Sequence, residues 1–235
     1  WDDEALRLHW SGANWDGDGD LFIYLDTAPG GAADAHDPYG AEVGDLIHLP
    51  AVGGDAMAAD YAIWVAGADA AHLLAWDGAA WTEEATLDDD RLLFSNSLRP
   101  ALIDLRIPLD DLGIADPAAT PLKLVAFASE EGALRPWAVM PSRNPLTGPA
   151  RDGGGREIIL AQSYAWAGLA AGVCPNGGVD PETGLCFMDA EADTVAGATA
   201  AANLAEGDDG SRDGVIVDVV EETGIRPLGA MASAS

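Results

Sequence analysis

Asp16, Asp18 and Asp20 occupy alternate positions in the run DGDGD. Three carboxylates spaced this way, with glycines between them, can wrap a hard cation through oxygen ligands, and Ca2+ suits such a set. Without a cation they repel one another, by about 3 kcal/mol per pair for unit charges ~5 Å apart at an effective dielectric of about 20. The EF-hand spacing is broken, because Leu21 stands where that loop needs glycine and Thr27 where it needs glutamate. Asp26, closing the apolar run that follows, is the fourth candidate ligand. The competing reading of DGDGD is a solvated acidic turn ahead of a strand. Asp208, Asp209 and Asp213 form a second, weaker cluster.

The tryptophans are the other residues with chemistry to offer: Trp1, Trp10, Trp15, Trp64, Trp76, Trp81, Trp137 and Trp166. Indole faces stack on pyranose rings, and neighbouring polar groups bond the sugar hydroxyls. Trp15, Trp76 and Trp81 lie beside turn residues and are the candidate platform. Trp64 sits within an apolar run and reads as core. Core packing is the competing role for each of the others.

No catalytic constellation emerges. GxSxG, HExxH and GxxxxGK[ST] are all missing from the sequence. The histidines, His9, His36, His48 and His72, show no metal-ligand spacing. Adjacent acids such as Glu83-Glu84 mean little in a chain with 40 of them; a solvated face is the simpler account. The expectation is therefore a protein that is not an enzyme.

The net charge of −29 excludes nucleic acid as a partner, since phosphates require a basic face. It also disfavours an anionic membrane surface. Lys123 is the single lysine. An acidic, alanine-rich chain suits a saline habitat or a GC-rich genome, and its self-repulsion is relieved by salt or bound cations. At 49% hydrophobic residues the chain can still bury a core. Its longest apolar-leaning run, 161–173, is too short to span a bilayer.

The elements that must position these residues are strands. Ala5–Trp10, Leu21–Asp26, Tyr61–Val65, His72–Trp76, Arg91–Ser95, Leu102–Ile107, Leu122–Ala128, Trp137–Met140, Glu157–Leu160 and Val215–Val220 are short apolar runs bounded by turn residues. Asp77-Gly78 is a hairpin signal. Only Pro108–Ile114 looks like a helical turn, and no amphipathic helix persists through the first 160 residues. The pattern predicts an all-β protein, an antiparallel sandwich of immunoglobulin or jelly-roll type. Residues 1–145 form the sandwich. Residues 146–235 are a loop-rich, disulfide-containing extension packed on it, with a short alanine-rich helix over 189–206.

Cys174 and Cys186 bracket a loop of Pro, Gly, Asn and Asp. A disulfide closing it would stabilise by roughly 3 kcal/mol in the chain-entropy model and implies an oxidising compartment; the other reading is two free thiols. The chain opens on Trp1, which fits a processed secreted protein or a piece of a larger one. Val215, Ile216 and Val217 belong to a β-branched run that pairs within the sandwich or adds to a neighbour's sheet.

Four segments in order resemble the DOMON-like, family-9 carbohydrate-binding superfamily. They are WSGANWDGDGDLFIYLDTAPGG at Trp10–Gly31, ADYAIWV at Ala59–Val65 followed by LLAWDGAAW, LRIPLDDLG at Leu105–Gly113, and LKLVAFAS. The likeness is to variants found in large bacterial surface proteins and at the ends of glucan-degrading enzymes, and it covers roughly residues 1–140. It implies a β-sandwich without catalysis, binding sugar or haem or serving in surface architecture. Haem would require Met57 or Met140 with His48 or His72, and their spacing gives that no support. The last 90 residues depart from the family. The expected function is a non-catalytic extracellular or cell-surface module binding a glycan or polysaccharide, with Ca2+. The alternative is a structural subunit that assembles with copies of itself, or with other surface proteins, into a filament, sheath or S-layer.

Overall fold

The structure is a computed structural model. It describes residues 4–11, 19–35, 44–67, 70–88, 91–95, 102–130, 134–141, 143–166, 178–179, 186–187 and 216–219. The chain is an all-β protein whose mostly antiparallel sheets pack into a sandwich. The first sheet joins β1 (Ala5–Ser11), β8 (Leu92–Ser95), β9 (Leu102–Pro108) and β16 (Ile216–Val219) in the order β16-β1-β9-β8. The second, central sheet holds β2 (Asp20–Asp26), β5 (Tyr61–Gly67), β6 (Ala70–Trp76), β7 (Trp81–Thr86), β10 (Leu122–Ser129) and β11 (Pro136–Met140). Their order is β11-β10-β2-β5-β6-β7, and β13 (Tyr164–Trp166) also pairs with β10. The third is small: β3 (Asp34–Ala35), β4 (Leu46–His48) and β12 (Glu157–Ile159), with β12 parallel to β4. A ribbon of β14 (Gly178–Val179) and β15 (Cys186–Phe187) stands apart from these three in pairing.

Two cores follow from strand alternation. Leu6 and Leu8 of β1 and Leu105 and Ile107 of β9 meet Leu21, Ile23, Leu25, Ile63 and Leu124 from one face of the central sheet. The opposite face of that sheet presents Phe22, Tyr24, Val125 and Phe127 to Ile47, Leu49, Met57, Ile158 and Leu160. The centre of the molecule is thus three layers deep. This explains why 21–25 reads as an unbroken apolar run while 5–10 alternates: β2 is covered on both faces, and β1 sends Leu6 and Leu8 to one core.

Local chemistry sets the ends of these strands. Gly19, at φ +110°, leads into β2 so close to the Ser129 carbonyl that a Cβ would lie 1.8 Å from its oxygen. In the turn after β6, the Asp77 carboxylate accepts the backbone N–H groups of Ala79 and Ala80, both at 2.8 Å, and Gly78 takes φ +99°. The expected helical turn is a single 3-10 turn at Leu109–Leu112, stopped by left-handed Gly113. The third layer is anchored by Asp45, nearly buried, whose carboxylate is gripped by Arg156.

Residues 157–159, 164–166 and 216–219 are built into the sheets formed by residues 1–145. The alanine-rich stretch 189–206 lies outside the described residues. Among the described residues no helix is long and apolar enough to cross a membrane.

Candidate functional site: a half-exposed aromatic face

The second core does not extend across the whole central sheet. Phe22, Tyr24, Val125 and Phe127 of β2 and β10 are buried on this face, and cover becomes partial over β5, β6 and β7, where Trp64, Leu74 and Trp81 are only half covered. Antiparallel register sets what shares that face. Trp64 pairs with His72, Leu74 with Glu83, and Trp76 with Trp81, the last two closing the Asp77-Gly78 hairpin. Residues directly opposite one another in a ladder point the same way. A bulge at Leu73/Leu74 shifts the register and keeps both Thr86 and Glu83 on the face.

The rings form two linked groups. Trp76 and Trp81 meet edge to face with centroids 5.4 Å apart, and Trp81 in turn contacts buried Tyr24 at 5.8 Å. Trp64 stacks parallel to Phe22 at 6.2 Å and lies 5.4 Å from the His72 ring. The inner partners, Tyr24 and Phe22, are buried, so the outer rings rest on a rigid floor. Such pairs are worth roughly 0.5–1.5 kcal/mol each beyond their area.

Polar groups border the rings. The His72 Nδ1 lies 3.1 Å from a Glu83 carboxylate oxygen, and the Thr86 hydroxyl donates to the same oxygen at 2.7 Å. The Thr86 bond, with the His72 bond and charge, holds the Glu83 carboxyl below its ordinary pKa. Asp77 is likewise lowered, by the N–H groups of Ala80 and Ala79. Asp60, immediately ahead of β5, accepts the N–H groups of Thr27 and Ala28, both at 2.8 Å. The Trp81 indole N–H is covered and has no acceptor among the described residues.

Of the expected platform, Trp76 and Trp81 are brought together, while Trp15 lies outside the described residues. Trp64, expected in the core, is half-buried on the same face, and its indole donates to the Asp20 carboxylate at 2.7 Å. His72 and Glu83 escaped sequence reasoning. Their signal was the alternation of His72, Leu74 and Trp76 against Ala71, Leu73 and Ala75, which sets one ring-bearing side of β6 apart.

Of the expected cation set, the two described members, Asp20 and Asp26, are not brought together. Asp20 and Asp26 open and close β2, six residue steps apart, so their Cα atoms are separated by ~20 Å at the usual strand rise. One ion cannot be shared by both. Asp20 is fully buried with Trp64 on its Oδ2. Asp26 accepts the Ala58 N–H at 3.2 Å; burial, opposed by that bond and aided by the Asp60 charge, raises its pKa. Asp16, Asp18, Asp208, Asp209 and Asp213 lie outside the described residues. Among the described residues no group of three or more His, Cys, Asp or Glu could hold a metal.

The remaining expectations can also be placed. Met57 belongs to the second core and Met140 to the first, on the far side of the sheet from His48 and His72. Both ring nitrogens of His48 are engaged, Nδ1 with Asp34 at 2.5 Å and Nε2 with Glu157 at 3.0 Å, which is no arrangement for haem ligation. Ile216 and Val217 pair antiparallel with Ser11 and Trp10 of the same chain; Val215 lies outside the described residues. So does Cys174, and of Cys186 only its place in β15 is described.

What the fold and face define is a β-sandwich with an aromatic platform on its central sheet. No protein-family model matches the chain, and no curated protein is detectably similar to it.

Proposed function

We propose that this chain is a non-catalytic, extracellular or cell-surface β-sandwich module that binds carbohydrate on the half-exposed face of β5, β6 and β7. The observation that carries the reading is the cross-strand pair Trp76–Trp81, braced from beneath by Tyr24 and continued by Trp64 and His72. A row of indoles on a rigid sheet offers apolar area for sugar rings at low entropic cost. The Glu83 carboxylate and the Thr86 hydroxyl oxygen, whose hydrogen is already donated to Glu83, supply acceptors for ring hydroxyls at its border. The resemblance to the family-9 carbohydrate-binding superfamily points the same way.

Affinity electrophoresis against a panel of soluble polysaccharides tests this. At least one polymer should retard the wild-type protein, and Trp76→Ala should remove the retardation. Retardation unchanged in both Trp76→Ala and Trp64→Ala, or by no polymer in the panel, would reject this face as a sugar platform.

A self-assembling subunit is the second reading. What favours it is the place of β16 at the end of the first sheet, where a strand from another copy could pair. Light scattering in molar salt separates the two: growth into large particles with concentration supports assembly, and a stable monomer near 24 kDa opposes it.

A further inference from the structure

We propose that the ligand of the aromatic face is cationic, a polymer of amino sugars carrying free ammonium groups rather than a neutral or uronic polysaccharide. The inference rests on the carbohydrate-binding reading of this face and adds the charge of what it takes.

The first ground is the absence of basic residues. Between Arg7 and Arg91 the sequence contains no lysine or arginine. All of β2, β5, β6 and β7 falls within that stretch, so none of the strands that build the face carries a lysine or arginine, and the one titratable cation on it, His72, is already paired with Glu83 at 3.1 Å. Lys123 is the one lysine on the same side of the sheet, opposite Asp26 in register, with its ammonium engaged by the Ala56 carbonyl. It stands three strands from β6, ~14 Å at the usual strand spacing. Asp26 and Asp60 flank the path between Lys123 and Trp76: Lys123 pairs with Asp26, and the Trp76 N–H donates to the Asp60 carbonyl at 2.8 Å.

The second ground is where the carboxylates are. Glu83 lies on the face itself, half-exposed, one strand from His72 and two residues from Trp81. The Thr86 and His72 contacts that hold its pKa down keep it ionised in mildly acidic solution. Exposed Asp77 sits in the turn that joins Trp76 to Trp81.

The third ground is the rings. The face of an indole is the negative end of its quadrupole and attracts an ammonium group positioned over it. A glucosamine-type ring therefore gains twice on this surface, by stacking and by its charge. A neutral ring gains only the stacking. A uronic ring meets the Glu83 carboxylate on the platform and the Asp77 carboxylate at its hairpin end, and such like-charge contacts reject the wrong partner.

The test is calorimetric titration of the full chain with two oligosaccharides of equal length and linkage, one of glucosamine and one of N-acetylglucosamine. Titrations are run in mild acid, where the amines are charged, at low and at high salt. Wild-type, Trp76→Ala and Glu83→Gln proteins are compared. Both substitutions lie on the half-exposed face and leave the two cores intact. The expected result is at least tenfold tighter binding of the glucosamine oligomer at low salt. That preference should shrink with salt, fall severalfold in Glu83→Gln, and disappear with all binding in Trp76→Ala. Equal affinity for both oligomers, lost in Trp76→Ala, would overturn the charge inference and leave the carbohydrate reading standing. Glucosamine binding that is the same in all three proteins would show attraction by the overall negative charge alone, and would overturn it too. Binding of neither oligomer, with a neutral polysaccharide bound through Trp76, would sink only the charge inference; if no polysaccharide binds at all, both readings fail together.

Discussion

The ion pair between Asp45 and Arg156 holds the third layer in place, and its removal should be costly. The Asp45 side chain is 1% exposed and that of Arg156 35%. Asp45 Oδ1 accepts the Arg156 backbone N–H at 2.7 Å, and Oδ2 accepts Nε at 3.0 Å and Nη2 at 2.5 Å. Arg156→Met keeps the backbone donor and much of the aliphatic packing but leaves the buried carboxylate without its counter-charge. Breaking a buried pair from one side costs about 3–5 kcal/mol. The surviving N–H bond and the partial exposure of the guanidinium place this case at the low end, about 3 kcal/mol. Adding Asp45→Asn removes the stranded charge, so the double variant should be more stable than the sum of the single losses by at least about 1 kcal/mol. The assay is a double-mutant cycle by urea unfolding at neutral pH, in low and high salt. Because the carboxylate is covered, the coupling should survive salt that would screen a surface pair. A loss in Arg156→Met under about 0.5 kcal/mol, or strict additivity of the two changes, would refute the claim that this charge is desolvated and sheet-holding.

Other substitutions probe the face and its frame. Trp64→Phe removes the indole donor from fully buried Asp20 and should destabilise by about 1–3 kcal/mol, whereas Trp81→Phe gives up an N–H that has no acceptor among the described residues and should cost less; chemical denaturation of the two side by side decides. His48 has its pKa raised: desolvation is the largest influence and pushes it down, but the Asp34 and Glu157 bonds and charges together overcome it. The bridged imidazolium therefore contributes stability that is complete below the unfolded value near 6.5 and is lost as pH rises through the higher folded value; a stability profile that declines above pH 6.5 in wild type and is flat there in His48→Asn is expected. Asp26 has a raised pKa, so its ionised form burdens the fold above its unfolded value of 3.8, and Asp26→Asn should leave stability at neutral pH unchanged or higher. Any Ca2+-induced rise in melting temperature should persist in Asp26→Asn, because the length of β2 separates Asp26 from Asp20; loss of that rise would mean that Asp26 takes part in holding the ion.

Much of this architecture is legible locally. Each of the ten apolar runs picked from the sequence contains a strand, because alternation and β-branched content act over a few residues and need no distant partner. The hairpin at Asp77-Gly78 was equally visible, and with it the pairing of Trp76 and Trp81, since a tight turn sets the register of its flanks. The two-residue β3 and the three-residue β4 and β13 were not visible. They are too short to show a period, and exist because Ala35, Ile47 and Trp166 dock on cores built by residues far along the chain.

The sequence by itself thus determined the strands, the acidic character of the chain and the aromatic residues available to it. Only the tertiary structure decided which of those residues share a surface. Trp64 reads as core in one dimension because its neighbours are apolar, yet the third layer covers Phe22, Tyr24, Val125 and Phe127 of β2 and β10 and reaches over β5 to β7 only in part. Asp26 reads as a companion of Asp20 because both bracket one run, yet an extended strand carries its ends ~20 Å apart. The physical reason is common to both. Local propensity sets backbone conformation within a few residues, whereas exposure and proximity depend on where segments distant in sequence, here 34–35, 46–49 and 157–160, come to rest on the sheet.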